Sequence, residues 1–268
     1  MEKLEHPLLI VEWVNALLGP LVKAVFEPMG FHFTGHHVIP PHMVMVMLIV
    51  AGLTVLSLIV RSRLSVETPG RLQIVMEDGL GALIGLLEEW IGSTGRHYLP
   101  LIGTLGLFIL CGNYMGLVPG FMSPTSSINV TLGCALTTWV YYHIQGLKAQ
   151  GPLAYLKHFA MPPGSPAAMA PLMFFIEIIS HLSRVLSLSL RLFGNIFGEE
   201  MVILILFSIV PFLAPLPMMF LGLVTGGLQA FIFVLLSIIY LQGAVAIAHH
   251  DDEHGHDAPH GREAPAAA

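Results

Sequence analysis

The segment from Phe174 to Glu200, FFIEIISHLSRVLSLSLRLFGNIFGEE, reads as membrane helix, yet it carries Glu177, His181, Arg184, Arg191, Asn195, Glu199 and Glu200. A charge at the centre of a bilayer costs at least about 2.5–3.5 kcal/mol, so such residues face protein or water and are kept for a task. Helical spacing gathers them. At about 100° per residue, Glu177, Ser180, Arg184, Ser187 and Asn195 fall within roughly 40° of Arg191. His181 and Glu199 sit at the margins, about 80° away, and Glu200 lies about 180° away, toward a different neighbour. One face is therefore polar and cationic while the other is Leu, Ile, Val and Phe. Arg191 is also the last Lys or Arg before Arg262 near the C-terminus.

The rest of the chain agrees with a lipid environment. A soluble domain carries about 25% charged residues; this chain of 268 residues carries 10%, with 55% hydrophobic residues and a mean hydropathy of +0.78. The fold class is an all-α integral membrane protein. The formal charge of −6 comes partly from an acidic tail, and no basic patch suggests nucleic acid. Cys111 and Cys134 lie in apolar runs and support neither a disulfide framework nor a metal site. The start, MEKLEHPLLIVEW, lacks the basic and cleavable regions of a signal peptide. A bacterial plasma membrane is the expected location.

Three regions follow. Residues 1–42 form an N-terminal segment in which Leu8 to Phe26 suits a short interfacial helix. His32, His36 and His37 lack the acidic or thiol partners of a metal site and read as solvated loop residues. Residues 43–248 form the membrane domain. Its first span runs about Met43–Val60, and within 61–92 an amphipathic helix to about Trp90 carries Glu77, Asp78, Glu88 and Glu89, which suits an interfacial position. Further spans run from Pro100 to about Val118 and from Ile128 to Ile144, separated by an uncharged loop. The Pro-, Gly- and Ala-rich stretch 149–170 connects to a long hairpin, 171–248, turned at Pro211, Pro215 and Pro217. About 20 apolar residues suffice to cross, so its two helices must be strongly tilted. The count is about five spans plus the interfacial helix. Residues 249–268, rich in His and Asp, read as a disordered solvated tail.

Arg61, Arg63, Arg71, Lys148 and Lys157 fall in loops on one side, while loops 119–127 and 210–217 hold no Lys or Arg. The positive-inside rule gives an N-terminus outside and a C-terminus inside. Arg96 agrees; Lys3 and Lys23 count weakly against it. The sequence shows no internal repeat of the kind common in secondary transporters. It contains no H-E-x-x-H and no P-loop.

The run Ser187-Leu188-Ser189-Leu190-Arg191-Leu192-Phe193-Gly194-Asn195, followed by Leu228-Gln229-Ala230-Phe231-Ile232-Phe233, resembles the signature of subunit a of F-type ATP synthases. Weaker agreement comes from Asn129-Val130-Thr131-Leu132, from Pro69-Gly70-Arg71-Leu72-Gln73, and from Asn113 with Leu117-Val118-Pro119. The resemblance covers about residues 43 to 248. It implies a non-catalytic stator subunit that moves protons beside a ring of c subunits, with subunit b of the peripheral stalk as a further partner and no cofactor.

By that resemblance Arg191 is the essential arginine facing the ring, and Gln229 is the glutamine opposite it. Asn195 stands one turn along, and Glu200 lines the outer half-channel. Glu177 and Ser187 match polar positions of the same helix. Where many members place a histidine or acid on the last helix, this chain has Gly222. Glu199, Thr225 or water in the space at Gly222 is left to take that part. Arg184 and His181 either belong to the path, sit near the inner interface or pair with Glu177.

Overall fold

The computed structural model describes residues 9–29, 38–65, 69–118, 120–153, 155, 169–210 and 213–245. His32, His36, His37, Lys157, His158, Pro211 and the tail 249–268 lie outside the described residues. The described residues form seven helices of more than one turn: α1 Leu9–Phe26, α2 Pro41–Ser62, α3 Arg71–Ile91, α4 Leu99–Met115, α5 Ile128–Gln150, α6 Ala170–Ile209 and α7 Pro215–Val245. Short 3₁₀ turns at Ser93–Tyr98 and Pro124–Ser126 lead into α4 and α5.

Local chemistry sets the boundaries. Proline opens α2 and α4 within the first helical turn, where its missing N–H removes no intrahelical bond. Gly92 (φ 93°) ends α3 and Gly151 (φ 81°) ends α5, positive-φ stops that other residues make at a cost. In α6 a mainly apolar sequence with no proline after its first turn forms one helix of 40 residues.

Among the described residues, four segments are long and apolar enough to cross a membrane: Pro41–Ser62, Ser93–Met115, Ala170–Ile209 and Pro215–Val245. The expected third span, α5, has 23 residues, but threonines, tyrosines and His143 dilute its hydropathy. Its pattern is that of a helix in lipid all the same. Leu136, Val140, Ile144 and Leu147 are exposed, while Thr131, Thr138 and Tyr142 are buried. The amphipathic α3 is too polar to join the four, in keeping with an interfacial placement.

Helices gain little from hydrophobic association in lipid and depend on close packing and interhelical hydrogen bonds. Glycine supplies the packing. A Cβ at Gly106 of α4 would lie 2.6 Å from Val234 of α7, and one at Gly226 of α7 would lie 3.3 Å from Asn113. Leu87, Ile102, Tyr142, Ile238 and Leu241 form one buried cluster joining α3, α4, α5 and α7. Ile109, Val185, Leu188, Leu192 and Phe233 form a second, around which α4, α5, α6 and α7 assemble. The N-terminal helix is tied on separately. Asn15 donates to the Ile39 carbonyl at 3.1 Å and accepts from its N–H at 2.8 Å, while Val11 packs with Val44 and Met45.

Candidate functional site

The helical spacing of α6 sorts its polar residues as the sequence predicts. Ser187, Arg191 and Asn195 are exposed, one turn apart on a single face. A Cβ at Gly194 or Gly198 would meet nothing within 4 Å, so this face is narrow and open rather than packed against the chain's own helices. Leu188, Leu192 and Ile196, on the flank turned toward the chain's other helices, are buried. Arg191 makes no hydrogen bond or ion pair among the described residues. Its guanidinium stands free, mid-helix, in an apolar stretch.

Behind that face lies α7. The amide of Asn195 donates to Gln229 Oε1 at 2.9 Å, and Gln229 is buried at 3% exposure. Its Nε2 has no hydrogen-bond partner among the described residues. Two helical turns hold the antiparallel register, because one turn further along the hydroxyl of Thr225 donates to Glu199 Oε2 at 3.0 Å. The carboxylate of Glu199 lies where a Cβ at Gly222 would have to go. Of the three substitutes for a polar side chain at 222, the structure puts Glu199 in the space and bonds Thr225 to it.

Glu200 turns to another neighbour, as its angular position requires. Its Oε1 accepts the Ser123 backbone N–H at 2.8 Å. The seat is built from glycine: a Cβ at Gly116 would lie 2.9 Å from Ser123 Cβ and 3.0 Å from Glu200 Oε1. From there a buried chain of polar groups runs inward. Ser123 Oγ contacts Thr125 Oγ1 at 2.7 Å, Thr125 donates to Asn113 Oδ1 at 2.7 Å, and Asn113 donates to the Gly226 carbonyl at 2.9 Å. Ser123 and Thr125 were legible only as part of an uncharged loop. The signal was there in Ser123-Pro124-Thr125-Ser126-Ser127, a run of hydroxyls with no charge between two apolar segments.

Glu177 is not brought to this cluster. It sits toward the other end of α6 and pairs with His181, Nε2 to Oε1, at 3.1 Å. Arg184 lies over the Tyr240 ring at 5.4 Å. The arrangement is thus a central free cation with acidic groups on either side of it along one helix. By helical rise, Glu200 lies about 14 Å from Arg191 and Glu177 about 21 Å on the other side. A cation so placed can pair with an anion presented from outside the chain.

A family model described as "ATP synthase A chain" matches residues 42–242. A protein of Citrifermentans bemidjiense called "ATP synthase subunit a" is 45% identical over 244 residues, covering 91% of this chain and 99% of that protein. Proteins of the same name from Geobacter sp. (strain M21) and Geobacter sulfurreducens are 45% and 44% identical, each over 91% of this chain and 99% of their own length.

Proposed function

The chain belongs to the ATP synthase A chain family, and on that premise we propose that it is the stationary proton-translocating subunit of the Fo sector, with Arg191 as the gate between two offset half-channels beside a ring of c subunits. It carries no nucleotide chemistry of its own. The observation that carries the reading is the state of Arg191, exposed in the middle of a 40-residue apolar helix with no anion among the described residues to pair it. An unpaired guanidinium is costly in lipid, so its natural partner is a carboxylate supplied by another subunit.

The chemistry follows from desolvation. A rotor carboxylate crosses lipid only when protonated, because burial strongly favours its neutral form. Beside a guanidinium the ionised form becomes favourable and the proton leaves. Arginine keeps its charge where a buried lysine would lose it. The same charge bars a proton from hopping straight between the half-channels. A proton entering by one must ride the ring through nearly a full turn to leave by the other. Each charge moved across 100 mV is worth about 2.3 kcal/mol, and this bias turns the ring.

In this reading Glu200, with the hydroxyls of Ser123 and Thr125, lines the outer path, and Glu199 with Thr225 takes the place of the side chain that Gly222 lacks. Asn195 and Gln229 line the ring-facing seam, Ser187 borders it, and Glu177 belongs to the inner path. Subunit b of the peripheral stalk and the c-ring are the partners. The distribution of Lys and Arg supports an N-terminus outside and a C-terminus inside the plasma membrane of a bacterium.

The test is ATP-driven acidification of inverted membrane vesicles, comparing wild type with Arg191→Ala at matched expression. Loss of pumping with membrane ATP hydrolysis retained supports the reading. Unchanged pumping removes this chain from the ion path.

A further inference from the structure

Away from the ring-facing stripe, where the C-terminal half of α5 meets the first half of α6, four titratable rings pack together. Tyr155 and His143 are joined at 2.6 Å, hydroxyl to Nδ1. The His143 ring centroid lies 4.5 Å from that of Tyr142 and 4.8 Å from that of His181. His181 Nδ1 meets the Tyr142 hydroxyl at 2.7 Å, and its Nε2 reaches Glu177 at 3.1 Å. The charged groups around the cluster are Glu177 and Arg184 of α6; Tyr240 faces it from α7, 6.3 Å from the Tyr142 ring. The cluster is largely buried: Tyr142, Tyr155 and His181 are at most 8% exposed.

The hydrogen bonds have a direction. With the Tyr142 hydroxyl donating to His181 Nδ1, Nε2 carries the ring proton and points it at the Glu177 carboxylate. Burial first, and then the charge of Glu177, push the Tyr155 phenol up to about 12, so it remains a donor to His143 at neutral pH. Two imidazolium rings this close to each other would repel, so His143 and His181 are not both charged at once.

We infer that His143 and His181, with Tyr142 and Tyr155, form a proton-exchange station that connects Glu177 to water at the α5–α6 end of the molecule. The inference rests on the proton-translocating reading above. In the transfer, His181 passes its Nε2 proton to the Glu177 oxygen and takes the Tyr142 hydroxyl proton at Nδ1, and Tyr142 takes a replacement proton from the water the station opens to, so the ring and the phenol both end neutral and Glu177 gains one proton. A half-turn of the imidazole ring restores its tautomer, and for protons moving the other way the steps reverse. A site that merely fastened α5 to α6 would need none of this polarity.

The experiment measures passive proton flux through the complete membrane sector in vesicles stripped of the soluble ATPase, driven by an imposed potential at a series of pH values. His181→Gln and His143→Asn are expected to slow flux by about a hundredfold, the lower end of what one positioned proton-transfer group contributes, and to change its pH profile. Millimolar imidazole should restore much of the loss. Tyr155→Phe, which keeps the ring, should give a smaller loss of the same kind. Unchanged flux in both histidine variants overturns the station, as does a loss that imidazole does not relieve and that leaves the pH profile unmoved at equal complex content. Failure of the underlying reading is seen separately, as normal ATP-driven pumping in Arg191→Ala.

Discussion

The carboxylate of Glu199, on α6, fills the space that any side chain at Gly222, on α7, would need. A polar group expected from one helix is thus present at that place from the other. The two positions are coupled, and neither can be understood without its partner.

Gly222→Ala follows from this. The atom it meets is the end of a flexible side chain, so the carboxylate swings aside at small cost and the complex assembles. The hydrogen bond from Thr225 is lost with it. ATP-driven acidification should slow by up to about a hundredfold, the scale of one positioned proton-transfer group, with the amount of assembled complex unchanged on a native gel. Full activity in this variant would remove Glu199 from the path.

Arg191→Ala should abolish proton-driven ATP synthesis, and Arg191→Lys should fail nearly as badly. A lysine ammonium can shed its proton in the seam, whereas a guanidinium does not. Synthesis by vesicles energised with a proton gradient is the measurement, and near-normal rates in either variant would sink the gate assignment.

Gln229→Leu separates packing from function. It removes the acceptor of the Asn195 amide, an interhelical bond of the kind worth about 0.6 kcal/mol in membranes, and also removes a buried amide nitrogen that has no partner among the described residues. Thermal stability of the complex should barely move. Protons pumped per ATP hydrolysed should fall, because the amide that bonds Asn195 is lost from the seam opposite Arg191.

Thr125→Val tests the buried hydroxyl chain. Asn113 Oδ1 loses its donor and Ser123 loses a neighbour, leaving buried polar groups unpaired at a cost of about 1–3 kcal/mol. The temperature at which this subunit dissociates from the detergent-solubilised complex should drop. Thr125→Ser, which keeps the hydroxyl, should restore it.

Much of this was legible beforehand because α6 obeys one period. The angular positions computed from 100° steps put Ser187, Arg191 and Asn195 on one face and sent Glu200 elsewhere, and the structure follows them. The motif around Arg191 and Gln229 supplied the pairing of α6 with α7. What could not be read were contacts without a period. The hydroxyl chain from Ser123 to Asn113 depends on a loop folding back over Gly112 and Gly116, and the cluster of His143 with Tyr155 joins residues 12 apart across a helix end. The expected span Ile128–Ile144 is the start of a helix that continues to Gln150, in which Thr131, Thr138 and Tyr142 point inward and lower the hydropathy without touching lipid.

The length of α6 has a consequence of its own. Forty residues extend about 60 Å, twice the roughly 30 Å of hydrocarbon, so a helix kept within that layer leans about 60° from the membrane normal. Glu177 and Glu200, about 35 Å apart along the axis, are then separated mainly sideways, along the circumference of whatever turns beside them. The lean gives the pair a handedness. Under the proposed function, that handedness would fix which of the two a passing carboxylate meets first, and so would convert the direction of an ion gradient into a sense of rotation.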